Sequence, residues 1–424
     1  MKTKAARNKV LITSKDLYTK VLDLPRPWRV GVVEWKIEEK ELWVEVLYRC
    51  GTRFICPQCG RKSPGYDHRS QQWRHLDTGG VRTFLYGSLP RIECAQHGVL
   101  EVAVPWADRF VRVTHAMEAH VIELLQSEMP VATAGRMIGL AWNTVWSIAA
   151  RAVERGKLRK PDRALTHIMV DEKARARGHE YVTLVASEQQ GKAVIEHIEE
   201  GRTTEALASY WKGLSPQQLE QIESIAMDMH RPYWEATVAH VPKAEEKIVH
   251  DRFHMMKHVQ AGVNTVRKQE HRALSEEGFD LLKGTKYLWL TNRDQWTSTQ
   301  RHDFKAIQSA DLRTSKAWAM KETIKHLWDY TYVGAAKNFF EQWKQWTCRV
   351  KLTPMIKVAE LFDRHLPNIL TFCSLPFTTA ALENLNGKIA RIIRAARGIY
   401  DLEHFKTLIY FHCGGLDLNP LRIT

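Results

Sequence analysis

The 424-residue sequence lacks several features, and each absence excludes a class of protein. It has no uninterrupted apolar run of about 18 residues, which excludes a membrane-spanning helix. No apolar segment follows the basic residues 1–9, so we expect no secretory signal. Seven cysteines are few for this length and odd in number, which argues against a disulfide scaffold. Internal repeats and low-complexity tracts are also missing.

Acidic residues are in deficit. The chain has 48 Asp and Glu against 62 Lys and Arg, and its formal net charge is +14. Such an excess favours a polyanionic partner, with nucleic acid ahead of an anionic membrane surface. Because 44% of the residues are hydrophobic, the chain is able to bury a core, and its length predicts about two to four domains.

Cysteines cluster near the start of the chain in a metal-binding pattern. A C-x-x-C pair closed by a glycine is followed by a C-x-x-H pair with the same spacing. Two such pairs supply four ligands to one tetrahedral, structural Zn²⁺. His68 and His75 are alternative fourth ligands, and free buried thiols are the alternative to a metal. The predicted zinc ligands are Cys56, Cys59, Cys94 and His97.

Residues 131–148 have the pattern of a helix-turn-helix. Helices are predicted over 131–138 and 142–155 with Gly139 in the turn, and an ordinary helical hairpin is the alternative. Trp142, Val145 and Ile148 share a spacing of three and are expected to face the core. The opposite face and the basic run after it supply the candidate DNA contacts, which are Asn143, Thr144, Ser147, Arg151, Arg159 and Lys160.

Short apolar runs then predict an α/β layer. Strands are expected over 166–171, 181–187, 222–228 and 247–251, with a helix over 232–240. Asp171 and Asp228 each end one of these strands, at the sheet edge where α/β proteins bind ligands. Two such carboxylates suit a shared Mg²⁺, and a third from a helix completes a site for phosphoryl transfer.

Glu383 is the candidate third carboxylate, on a predicted helix that continues with basic residues. Those basic residues are candidate DNA phosphate contacts: Lys388, Arg391 and Arg394. Asp251 and His254 are rivals for a metal or proton-transfer role, and Asp251 is equally suited to cap a helix. For any single acid the alternative is a solvated surface charge, so the hypothesis rests on the set.

These patterns divide the chain into six predicted segments. The first has a short helix with Leu17, Val21 and Leu24 on one face, then a β-hairpin over 28–48. Residues 378–412 are expected to form two helices with a turn at Gly398. The segments are 1–50, a zinc module at 51–110, a helix-turn-helix domain at 111–160, an α/β core at 161–258, an all-helical insertion at 259–372, and the rest of the core with the third acid at 373–424.

The assembled motifs resemble the bacterial insertion-sequence transposases of the ISL3 family, over nearly the whole chain. The matching motifs are C-P-x-C-G at 56–60, M-D-x-x-x-x-Y at 227–233, D-R-F-H at 251–254, and E-N-x-N-x-K-I with its continuation at 383–400. The resemblance implies an RNase H-like mixed sheet, of class α/β, with a large helical insertion. It also implies a DDE triad of Asp171, Asp228 and Glu383 that holds two Mg²⁺ or Mn²⁺ ions.

The implied substrate is the terminal inverted repeats of a mobile element. Hydrolysis of a phosphodiester would give a 3′-OH that attacks target DNA. The implied assembly is a homodimer or larger oligomer on double-stranded DNA, in the bacterial cytoplasm with the nucleoid and without a membrane. A non-catalytic, sequence-specific DNA-binding protein derived from a transposase is the alternative function, and a structure-selective nuclease is a third.

Overall fold

The computed structural model describes residues 12–176, 180–308, 310–375, 377, 380–396 and 401–420. The chain forms two compact units, one of Met1–Lys160 with Leu416–Thr424 and one of Pro161–Gly415. Among the described helices, none combines the length and the apolar character needed to cross a membrane.

The first unit contains a five-stranded sheet and a group of helices. Its elements are α1 (Ser14–Leu22), β1 (Trp28–Lys36), β2 (Glu41–Tyr48), β3 (Phe54–Ile55), β4 (Lys62–Ser63), β5 (Gly65–Thr78), β6 (Val81–Cys94), β7 (Gly98–Glu101), α2 (His115–Gln126), α3 (Val131–Ile138) and α4 (Trp142–Leu158). The sheet has the order β1-β2-β6-β5, and β7 pairs with the end of β6. Strands β3 and β4 form a separate small hairpin.

Helix α1 buries a different side from the one expected. Leu17 and Val21 are 48% and 61% exposed, whereas Tyr18 is buried and its hydroxyl lies 2.6 Å from Oγ1 of Thr78. The predicted apolar face was therefore wrong, because an aromatic ring with a hydrogen-bond partner packs better here than two aliphatic side chains. The long strands β5 and β6 were not predicted, since most of β5 is exposed and polar and shows no apolar alternation.

Helices α2, α3 and α4 follow the sheet. Gly139 ends α3 with φ 66°, and a Cβ on Gly135 would lie 2.7 Å from the carbonyl oxygen of Leu140. Glycine is therefore required both at the turn and at the close approach. Trp142 was expected in the core but is 43% exposed, and its ring stacks on Trp146 at 5.4 Å. It is the first residue of α4, and the buried side begins only one turn later.

A group of buried charges joins α2 to α4. Glu118 is fully buried and accepts hydrogen bonds from Arg155 at 2.8 Å and Arg151 at 3.2 Å. Arg155 also pairs with Asp108 at 3.5 Å and donates to the carbonyl oxygen of Leu418 at 3.1 Å. A buried carboxylate needs such partners, because its desolvation would otherwise be very costly.

The second unit combines a mixed five-stranded sheet with many helices. Its elements are β8 (His167–Ala176), β9 (Glu180–Gln189), β10 (Lys192–Glu200), α5 (Thr204–Lys212), α6 (Pro216–Glu220), β11 (Ser224–Met227), α7 (Arg231–His240), α8 (Ala244–Lys247), β12 (Ile248–His250), α9 (Arg252–Glu276), α10 (Lys286–Leu290), α11 (Ser298–Gln308), α12 (Arg313–Ile324), α13 (Val333–Val350), α14 (Thr353–Arg364), α15 (Leu366–Leu370), α16 (Ala380–Ala395) and α17 (Leu402–Cys413). The strand order is β10-β9-β8-β11-β12. The first three strands are antiparallel neighbours, whereas β11 runs parallel to both β8 and β12.

Strand β8 extends further than the apolar run suggests. It continues past Asp171 to Ala176 along β9, although its pairing with β11 covers only His167 to Met169. Asp171 was expected to end its strand but lies in the middle of it, beyond the end of the shorter β11. The reason is that the antiparallel ladder with β9 supports a polar continuation that no apolar pattern marks. Strand β10 was missed for the same reason.

Between β12 and α16 the described residues form only α- and 3₁₀-helices. Their apolar side chains make one core, in which Val259 and Val263 of α9 pack with Phe340 of α13 and Phe362 of α14. Lys321 is fully buried in this region and donates to three carbonyl oxygens, of Trp289, Leu290 and Thr291. The predicted turn at Gly398 and the end of the last motif at Tyr400 lie outside the described residues.

We expect Glu118→Gln to destabilise the first unit by about 3 kcal/mol or more, because it leaves the guanidinium groups of Arg151 and Arg155 without a buried counter-charge. Chemical denaturation of the full chain measures the change. Glu123→Gln is the matched control, since Glu123 lies on the same helix with a side chain that is 75% exposed. Equal stabilities for the two variants would show that the buried ion pairs do not hold α2 to α4.

Candidate functional site

Two tight turns of the first unit bring four metal-type ligands together. Cys56 and Cys59 lie between β3 and β4, where the N–H of Gly60 donates to the carbonyl oxygen of Cys56 at 2.9 Å. Cys94 ends β6, and His97 lies in the turn before β7. Each turn closes on a glycine of positive φ, 72° at Gly60 and 68° at Gly98, where a side chain is disfavoured.

The spacing of these four ligands suits a tetrahedral ion. Their ligand atoms all lie within 4.8 Å of one another. Sγ of Cys59 is 3.7 Å from Sγ of Cys94, and Nδ1 of His97 is 3.6 Å from Sγ of Cys94 and 3.8 Å from Sγ of Cys56. Zn–S bonds of about 2.3 Å in a tetrahedron separate two sulfurs by about 3.8 Å. The donor set therefore fits Zn²⁺.

Position separates His97 from the two alternative histidines, since only His97 belongs to the group of four ligand atoms. The backbone N–H of Gln96 points to the thiolate and lowers the pKa of Cys94 to about 6, which favours the form that binds metal. Burial lowers the pKa of His75 to about 4, and its Nδ1 lies 2.9 Å from Oγ1 of Thr114. His68 lies on β5 opposite Pro90. Neither belongs to the ligand group, so His97 completes the set.

The second candidate site lies where the parallel pairing of β8, β11 and β12 ends. Ala226 of β11 pairs with Met169 of β8, and Met227 pairs with His250 of β12. Counting on from these pairs, Asp228 is level with Asp171 on one side and with Asp251 on the other. Three carboxylates thus occupy neighbouring positions at one edge of the sheet, where the ends of parallel strands present their ligands.

Helix α16 brings a fourth carboxylate to this edge. Nδ2 of Asn386 donates to Oδ2 of Asp171 at 2.6 Å, and Nζ of Lys173 donates to the backbone oxygen of Asn386 at 3.3 Å. Glu383 lies one turn before Asn386, and the charges of Asp251 and Asp171 contribute to raising its pKa. Residues three apart share a helix face, so Glu383 lies beside Asp171.

Asp251 and His254 form a pair next to these acids. Nδ1 of His254 donates to Oδ2 of Asp251 at 2.9 Å, and its Nε2 is 3.8 Å from Oδ1 of Asp171. Asp251 stands at the N-cap position of α9, but its side chain makes no capping hydrogen bond there. The hydrogen bond from His254 also raises the pKa of the imidazole. The pair therefore faces the candidate metal ligand Asp171.

Burial sets the electrostatics of this carboxylate group. Desolvation raises the pKa of Asp171 and that of Glu383, and the negative charges nearby raise both further. Like charges held close in a partly buried site favour a cation. Oδ1 of Asn386 is also buried without a hydrogen-bond partner, so one more hard oxygen is available. Carboxylate and amide oxygens are suitable ligands for Mg²⁺.

The acids are nevertheless less closely grouped than the zinc-type ligands. Over the described ranges, the cysteine and histidine group is the one set of three or more His, Cys, Asp or Glu ligand atoms that all lie within 4.8 Å of one another. The edge of the sheet is therefore an open arrangement, in which metal ions and substrate oxygens would fill the space between the carboxylates.

Predicted DNA contacts on α4 are less exposed than expected. Asn143 is exposed, but Thr144, Ser147 and Arg151 are half-buried. Oγ of Ser147 donates to the carbonyl oxygen of Thr144 at 2.9 Å, and Arg151 donates both to that hydroxyl and to Glu118. The expectation that all four side chains are exposed was wrong, because Arg151 reaches back to a buried carboxylate.

The remaining predicted contacts fall into two groups. Arg159 donates to Oδ2 of Asp417 at 3.1 Å and to the backbone oxygen of Asn419 at 2.6 Å, and Lys388 donates to the carbonyl oxygen of His412 at 2.7 Å. These two side chains have structural partners within their own units. Lys160 is half-buried at the end of the first unit, and Arg391 and Arg394 are exposed on α16.

Sequence reasoning did not single out Asn386 and Lys173 as site residues. The signal for Asn386 was its position one turn after Glu383 in the E-N-L-N motif, which places it on the same helix face. Lys173 carried no signal, because it lies in a strand extension that the apolar pattern does not reveal.

Comparison with known proteins finds family models that match three segments of the chain and relatives that match most of its length. Residues 168–409 match the ISL3 family model described as transposase, residues 52–97 match the zinc-finger of transposase IS204/IS1001/IS1096/IS1165, and residues 102–153 match the helix-turn-helix domain of transposase family ISL3. The transposase for insertion sequence element IS1001 of Bordetella parapertussis is 27% identical over 379 residues, 88% of this chain and 92% of the relative. The transposase for IS1557 of Mycobacterium tuberculosis is 27% identical over 381 residues, 83% of each. The three matched segments contain, in turn, the carboxylate group, the four zinc-type ligands, and α2 and α3 with most of α4.

Proposed function

Since this chain belongs to transposase family ISL3 and is a DNA transposase, we propose that Asp171, Asp228 and Glu383 form its catalytic site. The observation that carries the proposal is the level position of Asp171 in β8 and Asp228 directly after the parallel strand β11, with Glu383 beside them on the helix whose Asn386 donates to Asp171. These three residues would hold two divalent metal ions, Mg²⁺ or Mn²⁺.

The core that carries the three acids is, in this proposal, an RNase H-like fold. Its support is the strand order β10-β9-β8-β11-β12, with three antiparallel strands followed by two parallel ones. The helices between β12 and α16 are then the insertion before the third acid. The chain then has the six segments predicted from its sequence, with the zinc module and the helix-turn-helix domain before the core.

The chemistry follows from the donor set. When bound, the metal ions would activate the attacking oxygen and stabilise the leaving one. The protein's own part is to orient the carboxylates, and Asn386 does so by donating to Oδ2 of Asp171. Asp251 and His254 act as positioning residues, because the hydrogen bond at 2.9 Å fixes the imidazole beside Asp171. A first cut would hydrolyse a phosphodiester at the element end, and the resulting 3′-OH would attack target DNA.

DNA recognition is assigned to the first unit and to α16. Asn143 at the exposed start of α4 is the proposed base contact, with Thr144, Ser147, Arg151, Arg159 and Lys160 as backbone contacts or supports. Lys388, Arg391 and Arg394 are proposed to lie near the scissile phosphate. The substrate would be the terminal inverted repeats of an insertion sequence. Two ends must meet for strand transfer, so we propose a homodimer or larger assembly on DNA, in the cytoplasm with the nucleoid.

We expect Glu383→Gln to abolish cleavage of DNA from either side of the gene while leaving its binding intact, because the amide loses a charged metal ligand but keeps the shape of the side chain. Nicking assays in Mg²⁺ and in Mn²⁺, beside a gel-shift assay, measure the two activities. Glu341→Gln is the control, since Glu341 is exposed on α13. Unchanged cleavage would remove Glu383 from the site. Binding without cleavage by wild type in either metal would favour the non-catalytic DNA-binding function.

Cleavage should fall as the pH drops, and the fall should begin above the usual carboxyl range. Burial raises the pKa of Asp171 and of Glu383, so each takes up a proton at a higher pH than an exposed acid, and the protonated form does not bind metal. Since metal ions and protons compete, more Mg²⁺ should move the midpoint to lower pH. Cleavage rates over a grid of pH and Mg²⁺ concentration test this, and a midpoint independent of Mg²⁺ would contradict it.

The four-ligand group should hold a structural Zn²⁺, at about one zinc per chain. Elemental analysis of the purified protein measures this content. Cys94→Ser should lose the zinc and the order of the β3–β4 hairpin, because the second turn no longer anchors the first. Cys348→Ser should retain it, since Cys348 is an exposed cysteine of α13 outside the ligand group. A fully folded wild type without zinc would disprove the metal centre.

A further inference from the structure

A cavity of about 590 Å³ opens on the second unit between α7 and the junction of α14 with α15. Its lining combines the aromatic side chains of Trp234 and His365 with the guanidinium groups of Arg231 and Arg364. Its volume is in the range of small-molecule sites, and suits one nucleotide better than a base-paired duplex. None of these four residues belongs to the proposed metal site.

The indole of Trp234 is held in a fixed orientation. Its Nε1 donates to Oδ1 of Asn368 at 3.1 Å, and Nδ2 of Asn368 donates in turn to the backbone oxygen of Glu245 at 2.8 Å. Asn368 is only 7% exposed, so this arrangement is shielded from competing water. Both polar atoms of the Asn368 amide are therefore bonded within the protein, and Trp234 lines the cavity. Rigid aromatic faces of this kind stack nucleobases of any sequence.

Charge at the rim suits a phosphodiester. Arg231 and Arg364 are both exposed, and the ion pair of Arg231 with Glu235 at 2.7 Å uses only the Nε edge of its guanidinium group. Arginine binds phosphate through paired N–H groups. Glu245 also borders the cavity, and a carboxylate accepts hydrogen bonds from the exocyclic amino group of a base. The lining therefore offers partners for the base and for the phosphate of a nucleotide.

The cavity adjoins the carboxylate edge of the sheet. Helix α7 begins at Arg231, three residues after Asp228. The ring of His365 packs edge-on against the buried His250 at 5.1 Å, and His250 directly precedes Asp251. Burial lowers the pKa of His365, and the negative charge of Asp228 acts in the opposite direction. The two side chains are therefore close enough to interact electrostatically. A strand whose phosphate lies between the metal-binding acids would therefore pass close to Trp234.

We propose that this cavity binds one unpaired nucleotide of the DNA strand next to the scissile phosphate, with its base stacked on Trp234 and its phosphate bound by Arg231 and Arg364. The proposal rests on the assigned catalytic role of Asp228. Unpairing a base near the cut costs stacking and pairing energy, and an aromatic site that accepts the base offsets that cost. The cavity would thus favour DNA that is already open at the cleavage point.

The test compares two DNA probes on the full chain, with Ca²⁺ in place of Mg²⁺ to prevent cleavage. One is a duplex with a short single-stranded overhang that contains 5-iodocytosine. The other is the same DNA with the overhang filled in, so that it is blunt and the iodinated base is paired. We expect the overhang probe to bind at least about fivefold more tightly, given the usual contribution of one stacked base. Irradiation should crosslink the unpaired base to Trp234, as mapped by mass spectrometry.

Matched variants separate stacking from folding. Trp234→Phe and Trp234→Leu both lose the hydrogen bond to Asn368, but only the phenylalanine keeps a ring, so only the leucine variant should lose the overhang preference. Arg364→Ala should weaken binding of the overhang, whereas Arg349→Ala, an exposed arginine of α13 outside the cavity, should not. Blunt-duplex binding should stay unchanged in all four and serves as the folding check.

Three results would overturn the proposal. They are an absence of overhang preference in wild type, a preference that survives in Trp234→Leu, and a crosslink that maps outside the cavity. If wild type still binds the blunt duplex and cleaves DNA in Mg²⁺, only the nucleotide site fails. If it neither binds duplex nor cleaves, the assigned catalytic role fails as well.

Discussion

Parallel pairing of β8, β11 and β12 is the constraint on which the candidate active site depends. Parallel neighbours present their carboxyl ends on the same side, so residues at equivalent positions meet at one edge. In this chain those positions hold Asp171, Asp228 and Asp251, and the packing of α16 against β8 adds Glu383. Moving β11 by one residue would turn its side chains to the other face of the sheet and dissolve the group.

The two candidate metal centres differ in the type of their ligands and in how closely the ligands are grouped. Three cysteine sulfurs and an imidazole nitrogen within 4.8 Å form a closed, soft site that suits a structural ion and leaves no open position. The carboxylates at the edge of the second sheet are hard ligands, partly buried and more widely spaced. Asp251 and His254 lie next to them and are hydrogen-bonded to each other. An open site of this kind leaves room for substrate oxygens, which catalysis with Mg²⁺ requires.

The helical region between β12 and α16 is hydrogen-bonded to elements that flank the candidate active site. Asn368 of α15 donates to the backbone oxygens of Glu245 at 2.8 Å and Ile248 at 3.4 Å, and so connects the helical region to the start of β12. It also orients Trp234, whose helix follows Asp228. A single buried amide therefore links the helical core, the start of β12 and the cavity that we propose binds a nucleotide.

Much of the architecture was predictable because it depends on local patterns. The spacing of the cysteines, the glycine turn at 139 and the short apolar strands that lead to Asp171 and Asp228 are each set by a few neighbouring residues. Such patterns fix backbone conformation and which side of an element is apolar. They failed where polar strands pair within a sheet, as in β5 and β10, since pairing there comes from the neighbouring strand.

By itself the sequence determined the residue types of both sites and the order in which they occur. Only the tertiary structure decided that His97 completes the ligand group in place of His68 or His75, that Asp171 lies inside a strand, and that Asn386 donates to it across 215 residues of chain. It also decided that Arg151 reaches Glu118 and that Trp142 is exposed. The physical reason is range: hydrogen-bonding and helix or strand preferences act over a few residues, whereas contacts between distant side chains follow from how whole elements pack.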